Sequence, residues 1–255
     1  MQSLVNARCV LVIPARRAST RLADKMLLRD TGKTVLQHTW ERACKAERPD
    51  AVVIATDDDE IAREARRFGA DVIMTSRECN SGTDRVAEAA RELPQAEILV
   101  NLQGDEPDMD PAAIDRVIGK LQRHPAAGMA TAAAPIRSRE QLDDPACVKV
   151  TFDHQGRALY FSRSPIPHPR EWDDALLASE PPTFHLHLGI YAYRRLLLER
   201  ITSLPMSELE SVEKLEQLRV LECGESILIA PVDHACRGID TPADYAEFVQ
   251  RHAAA

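Results

Sequence analysis

Cys9-Val-Leu-Val-Ile13 is an unbroken apolar run rich in β-branched residues and followed by Pro14. Such a run predicts a short, fully buried strand that the proline closes. Residues 14–33 are then polar, with four arginines and two lysines, and predict a long loop. Helical spacing returns at Leu36, Thr39, Trp40 and Ala43 and predicts a helix over 35–48 that Pro49 stops. A second apolar strand follows at 51–55. Thr56-Asp-Asp-Asp59 supplies capping residues for a helix over 59–68, ended by Gly69. Strands at 71–74 and 97–102 and helices at 82–93 and 111–123 continue the alternation, the last helix with proline in its first turn.

Strand and helix alternating in this way predict an α/β fold with a mainly parallel central sheet and right-handed crossovers. Ligands of such sheets bind outside the carboxyl ends of the strands. The loops 14–25, 75–85 and 103–107 all begin at those ends, so three loops are expected to converge on one crevice. The pattern changes in the second half. Runs at 148–152 and 157–162 predict paired strands around the turn Asp153-His-Gln-Gly156. Residues 163–184, rich in proline and acidic side chains, predict a loop or flap. A strand at 185–193, an amphipathic helix at 211–221, a strand at 226–230 and a closing helix at 241–251 capped by Thr241 complete the chain. No internal repeat or low-complexity tract is present. The expected organisation is a single domain over 1–255, with a β-rich insertion.

Composition narrows the function. The 255 residues carry a formal net charge of −8, so bulk electrostatics do not favour nucleic acid. Arg8, Arg16, Arg17 and Arg21 nevertheless precede the first acidic residue, Asp24. A small cationic region within an acidic chain suits a small anion. The six cysteines contain no CxxC pair, which argues against a zinc or redox motif and fits a reducing compartment. No apolar run reaches the length of a membrane span, and the first residues lack the layout of a secretion signal. A cytoplasmic protein is expected.

Five groups of residues carry candidate chemistry. Arg16, Ser19, Thr20, Arg21 and Lys25 offer cations and hydroxyl donors to a polyphosphate. No glycine lies between Arg16 and Lys25, so this is neither a P-loop nor a dinucleotide fingerprint. A solvated basic loop has the same composition. Asp105, in the turn after the fourth strand, is placed to hold Mg²⁺, although aspartate is also common in turns. Asp240 stands at a strand-to-helix junction, where it is either a helix cap or a second metal carboxylate. Ser81-Gly-Thr-Asp-Arg85 permits close approach of the backbone to a flat ring, while Ser81 and Asp84 also have the spacing of a capping box. Arg163, His185, His187, Tyr191, Glu216 and Gln217 would suit a sugar acid, but exposed strand and helix faces carry the same residues, and spacing alone does not select them.

Taken in order, these pieces resemble one family. Ile13-Pro-Ala-Arg-Arg-Ala-Ser-Thr-Arg-Leu22 with Lys25, Ala55-Thr-Asp57, Ser81-Gly-Thr-Asp-Arg85, Asn101-Leu-Gln-Gly-Asp-Glu-Pro107, Tyr160-Phe-Ser-Arg163, His187-Leu-Gly-Ile-Tyr191, Leu215-Glu-Gln-Leu-Arg219 and Gly238-Ile-Asp-Thr-Pro242 are similar to the motifs of the 3-deoxy-manno-octulosonate cytidylyltransferases, the CMP-Kdo synthetases. The resemblance runs from about residue 9 to about residue 250. It implies a Rossmann-like nucleotidyltransferase fold with sugar-binding and dimerisation parts within about 135–222. It also implies Mg²⁺-dependent transfer of CMP from CTP to a 3-deoxy-octulosonate sugar acid in lipopolysaccharide synthesis, by a homodimer.

By the same resemblance, Arg16, Arg21 and Lys25, with Ser19, hold the CTP phosphates. Ser81, Gly82, Thr83 and Arg85 lie at the cytosine, and Asp105 and Asp240 bind Mg²⁺. Gln103, Arg163, His187, Tyr191, Glu216 and Gln217 line the sugar pocket. The chain departs from the family at Leu22-Ala-Asp-Lys25, where Leu-Pro-Gly-Lys is frequent, and at Met26, where proline is frequent. The alternatives are an 8-amino-Kdo or sialic-acid cytidylyltransferase and a non-catalytic CTP-binding protein.

Overall fold

The computed structural model describes residues 4, 6–17 and 21–253. The chain forms two compact units, Met1–Asp115 with Cys236–Ala255, and Arg116–Ala235.

In the first unit, β1 (Cys9–Ala15), β2 (Ala51–Thr56), β3 (Asp71–Met74) and β4 (Ile98–Leu102) lie in the order β3-β2-β1-β4, and every pair is parallel. The connections carry α1 (Val35–Ala43), α2 (Asp59–Arg67) and α3 (Gly82–Ala90). This is the expected mainly parallel, Rossmann-like layout. All seven residues of β1 are buried, as its apolar run requires. The C-terminal helix Pro242–Ala253 returns to this unit, where Val35, Ile239, Tyr245 and Phe248 form one buried cluster.

Two boundaries differ from expectation. Pro14 does not end β1, which runs on to Ala15. Pairing with β4 stops at Val12↔Asn101, while pairing with β2 continues to Ala15↔Thr56. Pro14 thus sits where the strand has a partner on one side only, and its missing N–H is tolerated. Helix α1 stops at Ala43, short of Arg48. The N–H groups of Glu47 and Arg48 instead donate to the Asp115 carboxylate at 2.8–3.0 Å.

The chain passes into the second unit within α4 (Pro111–Arg123). There β5 (Met129–Pro135) and α5 (Arg139–Asp143) precede the hairpin β6 (Lys149–Phe152) and β7 (Ala158–Ser162). β8 (His185–Arg194), α6 (Arg195–Ser203), α7 (Glu208–Glu213), α8 (Gln217–Glu222) and β9 (Ile227–Pro231) follow. β5 pairs antiparallel with β8 and parallel with β9. β5 reads MATAAAP, and alanine has low strand propensity, so its pattern predicts no strand.

The single helix expected over 211–221 is broken. Lys214 adopts φ 55°, a left-handed conformation that ends α7, and α8 begins afresh at Gln217. Side chains far away in sequence hold the chain at this break. Arg163 Nε donates to the Glu213 carbonyl at 2.7 Å, and the Glu213 carboxylate accepts from Ser162 Oγ and the Arg163 N–H. Among the described residues no helix is long and apolar enough to cross a membrane.

Candidate active site

Lys25 opens a short 3-10 turn, Lys25–Leu27, in the loop after β1. Asp24 ahead of it has φ 49° and ψ 28°, the left-handed region where glycine is easiest and aspartate is tolerated. Glycine, frequent here in the family that the sequence resembles, would suit that geometry. The Asp24 carboxylate accepts from Arg17 Nε at 2.9 Å, and Arg17 also contacts Glu60 at 2.6 Å. Asp24 therefore pairs with Arg17 and leaves Lys25 to other partners.

Those partners are the two aspartates singled out from the sequence. The Lys25 side chain is buried, and its ammonium contacts Asp105 Oδ2 at 2.5 Å and Asp240 Oδ1 at 3.2 Å. Arg21 reaches the same Asp240 oxygen at 3.0 Å. Residues 135 positions apart in the chain are thus gathered on one nitrogen. The backbone makes the arrangement firm, because Ile239 N–H donates to the Asp105 carbonyl at 2.8 Å. The Asp240 and Thr241 N–H groups both donate to Asp244, whose own N–H donates to Thr241 Oγ1. Thr241 caps the C-terminal helix as expected.

Glu106 joins this acidic cluster, and sequence reasoning missed it. Burial, then repulsion from Asp105 and Asp240, raises its pKa to about 8, with Lys25 acting in the opposite direction. A Cβ on Gly238 would lie 3.0 Å from Glu106 Oε1, so the absence of a side chain at Gly238 lets the two segments close up. Arg16 is exposed directly after β1. Ser19 and Thr20 lie outside the described residues.

Asp105 and Asp240 present oxygen donors alone, and they already share one cation, the Lys25 ammonium. Among the described residues no group of three or more His, Cys, Asp or Glu side chains is arranged to hold a metal by itself. Two carboxylates without a complete protein cage fit Mg²⁺, which completes its shell with phosphate oxygens and water.

The 75–85 turn is built by a different logic. Ser81 Oγ accepts from Asp84 N–H, and the Asp84 carboxylate accepts from Ser81 N–H, both at 3.1 Å, so the capping box is present. Thr83 and Arg85 are buried. The Arg85 guanidinium lies 2.5 Å from Thr75 Oγ1 and 3.4 Å from Asp57, which makes it a brace inside the turn. Glu88 holds the same turn from beneath, accepting from Ser76 N–H at 2.7 Å and from the Cys79 thiol at 3.0 Å. Gly82 is the point of close approach: a Cβ there would lie 3.3 Å from the Gln103 amide and 3.4 Å from Pro14. Gln103 Nε2 in turn donates to Asn101 Oδ1 at 3.1 Å. Asn101 is buried, and its Nδ2 has no hydrogen-bond partner.

Of the expected sugar contacts, Gln103 lies in the first unit and the other five in the second. His187 is buried against Thr131, with Nε2 3.0 Å from Oγ1, and burial pushes its pKa down to about 3. Its ring lies 5.0 Å from Phe161 and 5.4 Å from Tyr191. The Tyr191 hydroxyl donates to Gln217 Oε1 at 3.4 Å, and burial followed by the nearby Glu216 raises its pKa. Gln217 is buried, and its Nε2 is left without a partner. Glu216 is exposed at the start of α8. His187, Tyr191 and Gln217 therefore form one polar cluster with a spare donor. Arg163 faces protein carbonyls. A separate cleft of about 890 Å³ in this unit, lined by Lys120, Arg137, Phe152, His154 and His185 among others, includes none of these five residues.

Known proteins are similar to this chain in sequence and in fold. The family model for cytidylyltransferases matches residues 10–227. The 3-deoxy-manno-octulosonate cytidylyltransferase of Rhodopirellula baltica is 48% identical over 96% of this chain and 98% of its own length. The 8-amino-3,8-dideoxy-manno-octulosonate cytidylyltransferase of Shewanella piezotolerans is 44% identical over 92% of this chain and 94% of its own. A solved CMP:2-keto-3-deoxy-manno-octonic acid synthetase complexed with CTP superposes with a TM-score of 0.89 at 39% identity, covering 97% of this chain and 99% of that one. The chain belongs to the cytidylyltransferase family, and within it to the CMP-Kdo synthetase group.

Proposed function

We propose that the chain transfers CMP from CTP to 3-deoxy-D-manno-octulosonate (Kdo) and releases pyrophosphate. The observation that carries this reading is the Lys25 ammonium held between Asp105 and Asp240. Cations paired with carboxylates at a partly open position can exchange those partners for phosphate oxygens. Lys25 and Arg21 turn to the triphosphate, Arg16 joins them, and the carboxylates of Asp105 and Asp240 are left to hold Mg²⁺. The ion, when bound, supplies charge neutralisation for the phosphates and the attacking oxygen.

The remaining work is alignment and charge compensation, as phosphoryl-type transfer requires. The anomeric hydroxyl of the sugar acid attacks the α-phosphorus, the bond to the pyrophosphate breaks, and Lys25, Arg16 and Arg21 compensate the charge of the departing group. Ser81, Gly82 and Thr83 offer close backbone approach to the cytosine. In the second unit, His187 remains neutral at physiological pH and serves as a hydrogen-bonding group, while the spare Gln217 amide donor meets a sugar oxygen. The family resemblance supports a cytoplasmic homodimer serving lipopolysaccharide synthesis.

The test is a panel of nucleoside triphosphates crossed with Kdo, 8-amino-Kdo and N-acetylneuraminate, read by pyrophosphate release. CTP with Kdo is expected to give the highest kcat/KM. Preference for 8-amino-Kdo would reassign the sugar, and CTP binding without pyrophosphate release on any acid would overturn the enzymatic reading.

A further inference from the structure

Lys149 stands at the start of β6 with no exposed surface, and none of the roles above involves it. Its ammonium donates to the carbonyls of Asp144 at 2.9 Å, Cys147 at 2.6 Å and Arg163 at 2.5 Å. An ammonium has three donors, and here each meets a backbone oxygen. A buried charge satisfied in this way is costly to leave half-satisfied.

Arg163 is the next link. Its carbonyl is held by Lys149, and its guanidinium reaches the carbonyls of Glu213 at 2.7 Å, Pro145 at 2.9 Å and Lys214 at 3.5 Å. Two of these oxygens belong to the point where α7 ends and Lys214 turns left-handed. Helix ends leave such carbonyls unsatisfied, and a guanidinium fork meets several at once. The Glu213 carboxylate closes the loop by accepting from Ser162 Oγ at 2.7 Å and Arg163 N–H at 2.9 Å. Directly beyond the break come Glu216 and Gln217.

We propose that Lys149 is a positioning residue for the sugar acid: by pinning the Arg163 carbonyl it fixes the guanidinium that holds the α7–α8 break, and so sets where Glu216 and Gln217 stand. Arg163 then acts as a holder of backbone carbonyls. This rests on the reading above, in which Gln217 meets the sugar.

The test uses Lys149→Met in the full-length chain, which keeps the length of the side chain and removes the charge and all three donors. Pyrophosphate release is measured while each substrate is varied in turn. The expected result is a rise of about tenfold or more in KM for Kdo, with KM for CTP within about twofold of the unaltered protein. A generally loosened fold would lower the active fraction, and with it kcat, without separating the two substrates, so equal shifts in KM, or an unchanged KM for Kdo, overturn the proposal. Should Lys149→Met fail to fold, Glu213→Gln carries the same test. It weakens the clamp at its half-buried end and is expected to raise KM for Kdo about threefold with KM for CTP unchanged. No change in KM for Kdo there overturns the proposal. Gln217→Ala separates the two levels. If it raises KM for Kdo while Lys149→Met does not, the positioning role fails alone. If it leaves KM for Kdo unchanged, the assignment of the sugar contacts fails.

Discussion

Lys25 and Lys149 are both buried lysines, yet they are satisfied in opposite ways. Lys25, in the first unit, meets two carboxylates, and the Asp240 side chain is half exposed. Lys149, in the second, meets three carbonyls in a fully enclosed position. Carboxylates that are partly exposed can take another cation, which is what the proposed exchange of Lys25 to a charged ligand requires. Lys149 has no exposed surface and all three of its donors are used, so no charged ligand can take the place of its carbonyls without opening the site. On the reading proposed above, the same side chain is an exchangeable charge in one unit and a structural pin in the other, and the difference lies in its neighbours.

The largest expected effect breaks the exchangeable side. Lys25→Ala should lower kcat by roughly 10²–10³-fold, as loss of one cation aimed at developing charge does elsewhere. Asp105→Ala should abolish turnover. Steady-state pyrophosphate release measures both, and near-normal Mg²⁺-dependent activity in Asp105→Ala would remove the metal role.

The next effect concerns the buried side. The fold favours the neutral His187 ring, whose pKa of about 3 lies well below the ordinary value of 6.5. Below about pH 6.5 the unfolded chain takes up a proton that the folded chain refuses, so stability falls as pH drops from neutral toward 3. At pH 5 the loss attributable to this ring is roughly 2 kcal/mol relative to pH 8. Urea unfolding at the two pH values measures it, and His187→Phe should flatten that part of the dependence.

A smaller effect lies in the nucleotide turn. Gly82→Ala places a methyl group 3.3 Å from the Gln103 amide and should raise KM for CTP about fivefold with little change in stability. Smallest is Asp24→Gly. It relieves a left-handed aspartate and removes an exposed ion pair with Arg17, so unfolding free energy should change by less than about 1 kcal/mol.

Where periodicity or local caps governed the structure, the sequence predicted it well. The apolar runs of β1, β2 and β4, the capping box at Ser81 and the cap at Thr241 were all legible because each depends on neighbouring residues. Alanine-rich β5 was not, since its strand state comes from pairing with β8 and β9. The break at Lys214 was hidden for the same reason, its carbonyls being met by Arg163 from about 50 residues away. In the site, Asp105 and Asp240 could be named from turn chemistry and motif order, but their shared contact with Lys25 is a product of tertiary folding. Glu106 and Lys149 gave no signal, because an acidic turn residue and a lysine at a strand start look like solvated surface until burial is known.

The most direct test of the central claim is Mn²⁺ binding, used as a paramagnetic stand-in for Mg²⁺ and followed by electron paramagnetic resonance in the presence of saturating CTP. If the two aspartates that share Lys25 are the metal carboxylates, Asp105→Asn and Asp240→Asn should each weaken protein-dependent Mn²⁺ binding by about tenfold or more while CTP remains bound. Unchanged Mn²⁺ affinity in both variants would contradict it.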